Sequence, residues 1–269
     1  MPFTPSHAVV ALPFVRTPLL PAAIAVGAMA PDLPLFLRGT PLTYQQTHTN
    51  VALTALIALV LLALWYAVLR PAVRELSPGW LAGRLPTDWD AVGRAVWESV
   101  RAPREGARHA VWRDSAVFSV LVALSLVLGV VSHIVWDAFT HEGRWGLAAF
   151  PALEQQWGPL LGYKWMQYGS SFGGLVILGA FAVSWLRRRD GGAPVDRVLA
   201  PGIRIAWWLS LPGILVIAWL IGLAAYGPLS PTWTAQHLAY RVLPPACAVW
   251  GAVTLALCVV VVVRRRSRA

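Results

Sequence analysis

Five stretches of this chain run for most of a bilayer's depth without a charged side chain: Val51 to Leu69, Ser115 to Ser132, Ser171 to Leu186, Ile205 to Gly227 and Val242 to Val263. A helix crosses a hydrocarbon core of about 30 Å with roughly 20 apolar residues. In that medium only helices and closed barrels satisfy their own backbone. These runs therefore predict an all-α, polytopic helical membrane protein with five transmembrane helices. The third run is the shortest, and it reaches spanning length only if its helix starts near Trp165. Composition agrees: 57% of residues are hydrophobic and 13% charged, where a soluble domain carries about a quarter charged.

Fifteen tryptophans are many for this length. Trp65, Trp112, Trp136, Trp185 and Trp233 fall near the ends of the runs, where headgroups meet hydrocarbon. Cys247 and Cys258 both lie in the last run and cannot bridge each other along one helix.

The net charge of +10 has to be read by position. Eight arginines lie in the 70–113 connection, five in 187–204 and four in the tail "RRRSRA", whereas 139–170 holds only Arg144 and Lys164 and 228–240 holds no Lys or Arg. Lys and Arg mark cytoplasmic connections. The C-terminus is therefore expected inside and 139–170 outside. Nucleic acid is excluded as a partner, since no basic patch interleaved with aromatics is present; the partners expected are membrane lipids.

We read 1–269 as a single integral-membrane domain. Within it, 1–50 is an N-terminal ligand-bearing segment, 70–114 a cytoplasmic amphipathic connection and 264–269 a basic tail. In the connection, Trp89, Val92, Val96, Trp97 and Val100 recur at helical spacing and predict an amphipathic helix against headgroups, with a solvated linker as the alternative. Near the start, Pro13, Pro18, Pro21, Pro31 and Pro34 forbid a continuous helix. Short helices around His7–Leu12 and Leu19–Ala30 are expected, in a proline-broken segment that is interfacial or re-entrant; the alternative is one full crossing. No basic n-region or A-x-A site marks a cleavable signal.

The chemistry concentrates in "SHIVWDAFTHEG", Ser132 to Gly143. A helix turns about 100° per residue, so His133, Asp137 and His141 lie along one face, roughly 6 Å apart in succession. By the topology above, His7 in "TPSHA", Asp32 in "MAPDLP" and His48 in "QQTHTN" reach the same outer face. Ionisable groups at membrane depth are costly and mark function. Imidazole and carboxylate donors without thiolate suit Zn²⁺, or Mn²⁺ or Fe²⁺. Such an ion brings its bound water to a pKa of about 7, and Glu142, or else Asp137, would take the proton. The candidate metal ligands are His7, Asp32, His48, His133, Asp137 and His141. Arg144 and Lys164 would receive an anionic headgroup. Each piece has a plainer reading: Asp32 as a helix cap, each histidine as a headgroup neighbour, and Tyr163 and Gln167 as partners of one another. His109 and His237 are read as surface histidines.

The motifs "MPFTPSHAVVALPF", "AVGAMAPDLPLFLR", "THTN", "SHIVWDAFTHEGRWG" and "YKWMQYGSSFGG" resemble, in order, an uncharacterised bacterial membrane family of the domain-of-unknown-function class. That family is distantly similar to membrane-bound metal-dependent hydrolases of the bacterial inner membrane and to zinc-dependent phospholipase C. The resemblance implies a metal site on His7, Asp32, His48, His133 and Asp137, with His141 in the accompanying D-x-x-T-H pattern. In one departure, Thr43 stands where those hydrolases carry the first of two histidines.

The expectation is a membrane-bound metal-dependent hydrolase with its site at the outer face, acting on phosphodiester or ester bonds of lipids. The alternatives are a cation- or proton-handling transport protein and a structural membrane protein. Transport calls for ionisable groups across the whole membrane, and the last three apolar runs hold no Asp, Glu, Lys, Arg or His.

Overall fold

The computed structural model describes residues 4–101, 115–192 and 194–268; His109 and Trp112 lie outside them. Five helices are long and apolar enough to cross a membrane. We label α1 Pro21–Met29, α2 Tyr44–Thr49, α3 Val51–Leu76, α4 Arg94–Arg101, α5 Ser115–Thr140, α6 Gly162–Arg187, α7 Pro201–Tyr226 and α8 Ala235–Arg266. The spans are α3, α5, α6, α7 and α8. α6 begins at Gly162, which gives the shortest apolar run its spanning length. Leu56, Val60, Val120 and Phe172 are more than half exposed, as apolar side chains against lipid are.

The proline-rich start forms a 3-10 helix, Thr4–Phe14, followed by α1 and a 3-10 turn, Ala30–Asp32. Pro21 occupies the first turn of α1, where its missing N–H costs nothing. The connection departs from the expected single amphipathic helix. Thr87–Asp90 is a 3-10 turn, Gly93 adopts φ +62°, and across 87–101 regular helix is confined to α4. A left-handed residue ends helical winding, so Trp89 and Val92 fall outside the helix that carries Val96, Trp97 and Val100.

The chain divides into two compact units. One comprises residues 1–33, 42–63 and 100–189, and holds α1, α2, the first half of α3, α5 and α6. Here α1 packs on α5 at glycines: a Cβ on Gly129 would collide with the carbonyl of Ile24 and lie 2.7 Å from the nitrogen of Ala28. Ser125 Oγ accepts from the Leu20 N–H at 3.0 Å, satisfying a donor ahead of α1 that no helix supplies. Beyond α5, Leu147, Leu153 and Tyr163 form a small core with Phe139 and Met166.

The other unit comprises 34–41, 64–99 and 190–269. Its core is Ala72, Leu76, Val198, Leu199, Cys258 and Val261. Several of its arginines hold the fold together. Arg197 donates to the carbonyls of Arg74, Glu75 and Ser77, at and just beyond the end of α3. The fully buried Glu75 accepts from the N–H groups of Val198 and Leu199 at 3.0 and 3.2 Å.

Overpacking a close helix crossing costs about 1–3 kcal/mol. Gly129→Ala should therefore lower the thermal midpoint in detergent, whereas Gly173→Ala, where an added Cβ meets nothing within 4 Å, should leave it unchanged. Equal midpoints would show that the crossing has room for a methyl group.

Candidate metal centre

The site lies wholly within the first unit and is assembled from four separate stretches. The N-terminal 3-10 helix supplies His7, the turn after α1 supplies Asp32, α2 supplies His48, and the last two turns of α5 supply His133 and Asp137. All five side chains are buried. One donor atom from each of Asp32, His48, His133 and Asp137 lies within 4.8 Å of the others. His7 joins through Asp137 Oδ1, 3.9 Å from its Nε2, and its ring centroid lies 4.1 Å from that of His133.

Local bonds turn the right atoms inward. His133 Nδ1 pairs with the carbonyl of Ala28 at 2.7 Å, and His48 Nδ1 with the carbonyl of Tyr44 at 2.9 Å. A carbonyl only accepts, so each Nδ1 carries a proton, and in the neutral ring each Nε2 keeps its lone pair. Asp32 Oδ2 accepts from Thr4 Oγ1 at 2.7 Å, and Asp137 Oδ2 from the Tyr44 hydroxyl at 3.0 Å. Asp32 thus faces the cluster with its remaining oxygen. Backbone and carboxylate partners behind imidazole ligands are what metal sites use to fix tautomer and ring orientation.

What remains is a set of five buried atoms with no hydrogen-bond partner: Nε2 of His7, His48 and His133, and Oδ1 of Asp32 and Asp137. Buried polar atoms are ordinarily paired. The separations within the cluster, two of them to Asp137 Oδ2, which also accepts from Tyr44, are informative. His133 Nε2 and His48 Nε2 lie 3.4 and 3.5 Å from Asp137 Oδ2, and His133 Nε2 lies 3.7 Å from Asp32 Oδ1. These distances are long for hydrogen bonds. Two atoms each about 2.1 Å from a tetrahedral ion lie about 3.4 Å apart. The donor set fits a divalent cation, whose charge would balance two carboxylates that have only histidines as recorded ion-pair partners among the described residues.

The other predicted residues occupy different positions. His141 meets Asp137 on its own helical face, Nδ1 to Oδ2 at 3.4 Å, and its Nε2 faces Gln167. Burial lowers its pKa to about 4. Arg144 lies over the Tyr44 ring at 5.5 Å, and Lys164 donates to Gln167 at 3.1 Å. Gln167 is therefore engaged by Lys164 and His141. Glu142 is exposed, and no hydrogen bond or ion pair joins it to the cluster among the described residues. Thr43 is exposed and caps α2 in a reciprocal box with Gln46, so the position that departs from the hydrolase pattern has a structural task. His237 closes a similar box at the start of α8.

Three supporting residues escaped the sequence reading. Tyr44 stands four residues before His48, a spacing that puts both on one helix face, and its ring stacks on His48 at 3.7 Å. That signal was legible. Thr4 and Thr47 were not: Thr47 Oγ1 donates to the Pro31 carbonyl at 2.7 Å, a contact between segments that no local pattern announces.

A family model matches residues 1–265, that of a domain of unknown function, DUF4184. The chain belongs to the DUF4184 family. No curated protein and no solved structure matches it. The DUF4184 match covers every residue of the cluster, so the buried His/Asp group lies inside the shared domain; the family's description states no activity.

Removing a group behind a metal ligand typically weakens binding about 10–100-fold. Tyr44→Phe keeps the stack on His48 and deletes only the hydroxyl on Asp137. If the cluster holds a divalent metal, Tyr44→Phe should weaken its binding by that factor in competition with a chromogenic chelator, while His133→Ala should reduce bound metal to background.

Proposed function

We propose that the protein is a membrane-bound metal-dependent hydrolase that uses zinc and acts on phosphodiester or ester bonds of lipids at the outer face of a bacterial inner membrane. The observation that carries this reading is a buried group, Asp32, His48, His133 and Asp137, with donor atoms at ligand spacing, and beside it His7, with an unpaired donor atom on each of the five residues. A cluster serving only to lock helices would close those atoms into mutual hydrogen bonds, because an unsatisfied buried polar group costs about 1–3 kcal/mol. Here three imidazole nitrogens and one oxygen of each carboxylate stay unpaired.

A divalent ion held there would supply a Lewis acid and acidify a water at neutral pH. The protein's own contribution is orientation and proton handling. His133 and His48 are held by main-chain carbonyls, so their Nε2 lone pairs cannot turn away. Of the two proton acceptors expected from the sequence, Asp137 lies inside the cluster and keeps Oδ1 unpaired, whereas Glu142 is exposed. Arg144 and Lys164, both half-buried, stand near the cluster through Tyr44 and Gln167 and offer positive charge to an anionic headgroup. The arginine-rich 187–204 segment and basic tail support a cytoplasmic C-terminus, and with it an external site.

Two measurements test this. Zinc-loaded protein in mixed micelles should hydrolyse a short-chain phospholipid, and chelator or His48→Ala should abolish turnover. If neither phosphodiester nor carboxyl ester is cleaved at any zinc loading, the hydrolase reading is lost. For topology, a reporter fused after Trp145 should report the outside and one fused near Arg94 the cytoplasm; identical readings would remove the external site.

A further inference from the structure

We infer that His141, resting on the metal-centre reading above, is not a ligand but a positioning residue, its ring locked by Lys164 through Gln167 so that Nδ1–H is directed at Asp137. The argument runs through donors and acceptors alone. A lysine ammonium has only protons to give. Lys164 Nζ lies 3.1 Å from the side-chain oxygen of the fully buried Gln167, so the amide orientation follows from chemistry and not from electron count. Gln167 Nε2, which only donates, then faces His141 Nε2 at 3.2 Å. That nitrogen must accept, and its lone pair is engaged.

The other side of the ring gives the same answer. Nδ1 is surrounded by oxygens: the Asp137 carbonyl at 3.3 Å, Asp137 Oδ2 at 3.4 Å and Thr140 Oγ1 at 3.2 Å. The Thr140 hydroxyl proton goes to the Trp136 carbonyl, so its oxygen too can accept. Nδ1 therefore carries the hydrogen. An imidazolium is disfavoured by the same geometry, because a proton on Nε2 would face the amide N–H of Gln167. Neither nitrogen of His141 has a lone pair left for an ion.

The contrast with His133 is internal to one helix face. His133 and His141 each stand four residues from Asp137, and both use Nδ1–H. His133 gives that proton to a main-chain carbonyl and leaves Nε2 bare; His141 gives it to the Asp137 side and spends Nε2 on Gln167. The first binds and the second holds a binding carboxylate in place. Together with Tyr44 on the same Oδ2, His141 fixes Asp137 so that Oδ1 remains unpaired.

The test uses full-length protein in detergent, with ¹⁵N-labelled histidine and zinc as the probe. Long-range ¹H–¹⁵N correlation should show His141 protonated at Nδ1 and bare at Nε2, assigned by loss of the signal in His141→Gln. Gln167→Glu leaves only acceptors beside Nε2 and should move the proton there. His141→Ala should retain one equivalent of zinc with affinity weakened by about 10–100-fold, where His133→Ala retains none. Zinc falling to background in His141→Ala, or a wild-type ring protonated at Nε2, would overturn the inference while the metal centre stands. A wild-type protein that binds no zinc overturns both.

Discussion

An apolar medium leaves polar atoms few places to go, and this constraint organises the first unit of the structure. Two carboxylates and three imidazoles lie buried among helices whose outer faces are apolar. In water each would be solvated at no cost; here each outward-facing atom needs a partner from the chain. The partners are supplied one by one. Ala28 and Tyr44 give carbonyls, Thr4 and Tyr44 give hydroxyls, and the close glycine crossing of α1 on α5 brings the Ala28 carbonyl within reach of His133.

The second unit meets the same constraint with different chemistry. Its buried charges are three arginines and one glutamate: Arg70, Arg74 and Arg265 pair with Asp88 and Asp90, and main-chain groups take up further charged side chains. Arg197 takes the carbonyls at the end of α3, and Glu75 takes two N–H groups of the 198–199 segment. Arginines that a charge count assigns wholly to membrane orientation therefore also terminate helices. The two uses are compatible, because the last carbonyls of a helix attract cations.

Much of this was legible in the sequence because bilayer physics leaves a long and simple signature. The five spans followed from uninterrupted apolar runs, and α6 began where the shortest of them required. The His/Asp stripe on α5 followed from 3.6-residue periodicity. The helix boundary at Gly93 was missed because apolar spacing across 89–100 continues through a residue whose backbone leaves the helical region. His141 illustrates a different limit: periodicity puts it on the same stripe as His133, but which of its nitrogens is free depends on Gln167 and Lys164, in another helix. Spacing gives the face of a helix and says nothing of what the opposite partner donates.

The choice of main-chain oxygens behind His48 and His133 has an evolutionary corollary. A side-chain partner can be deleted by a single codon change; a carbonyl cannot. Substitutions at position 28 leave the oxygen that orients His133 in place, so long as the helix still ends where it does. The inward-facing nitrogens thus keep their orienting partners through many point mutations, and the vulnerability moves to Pro21 and Thr43, at the starts of α1 and α2, and to Gly27, where α1 meets α5.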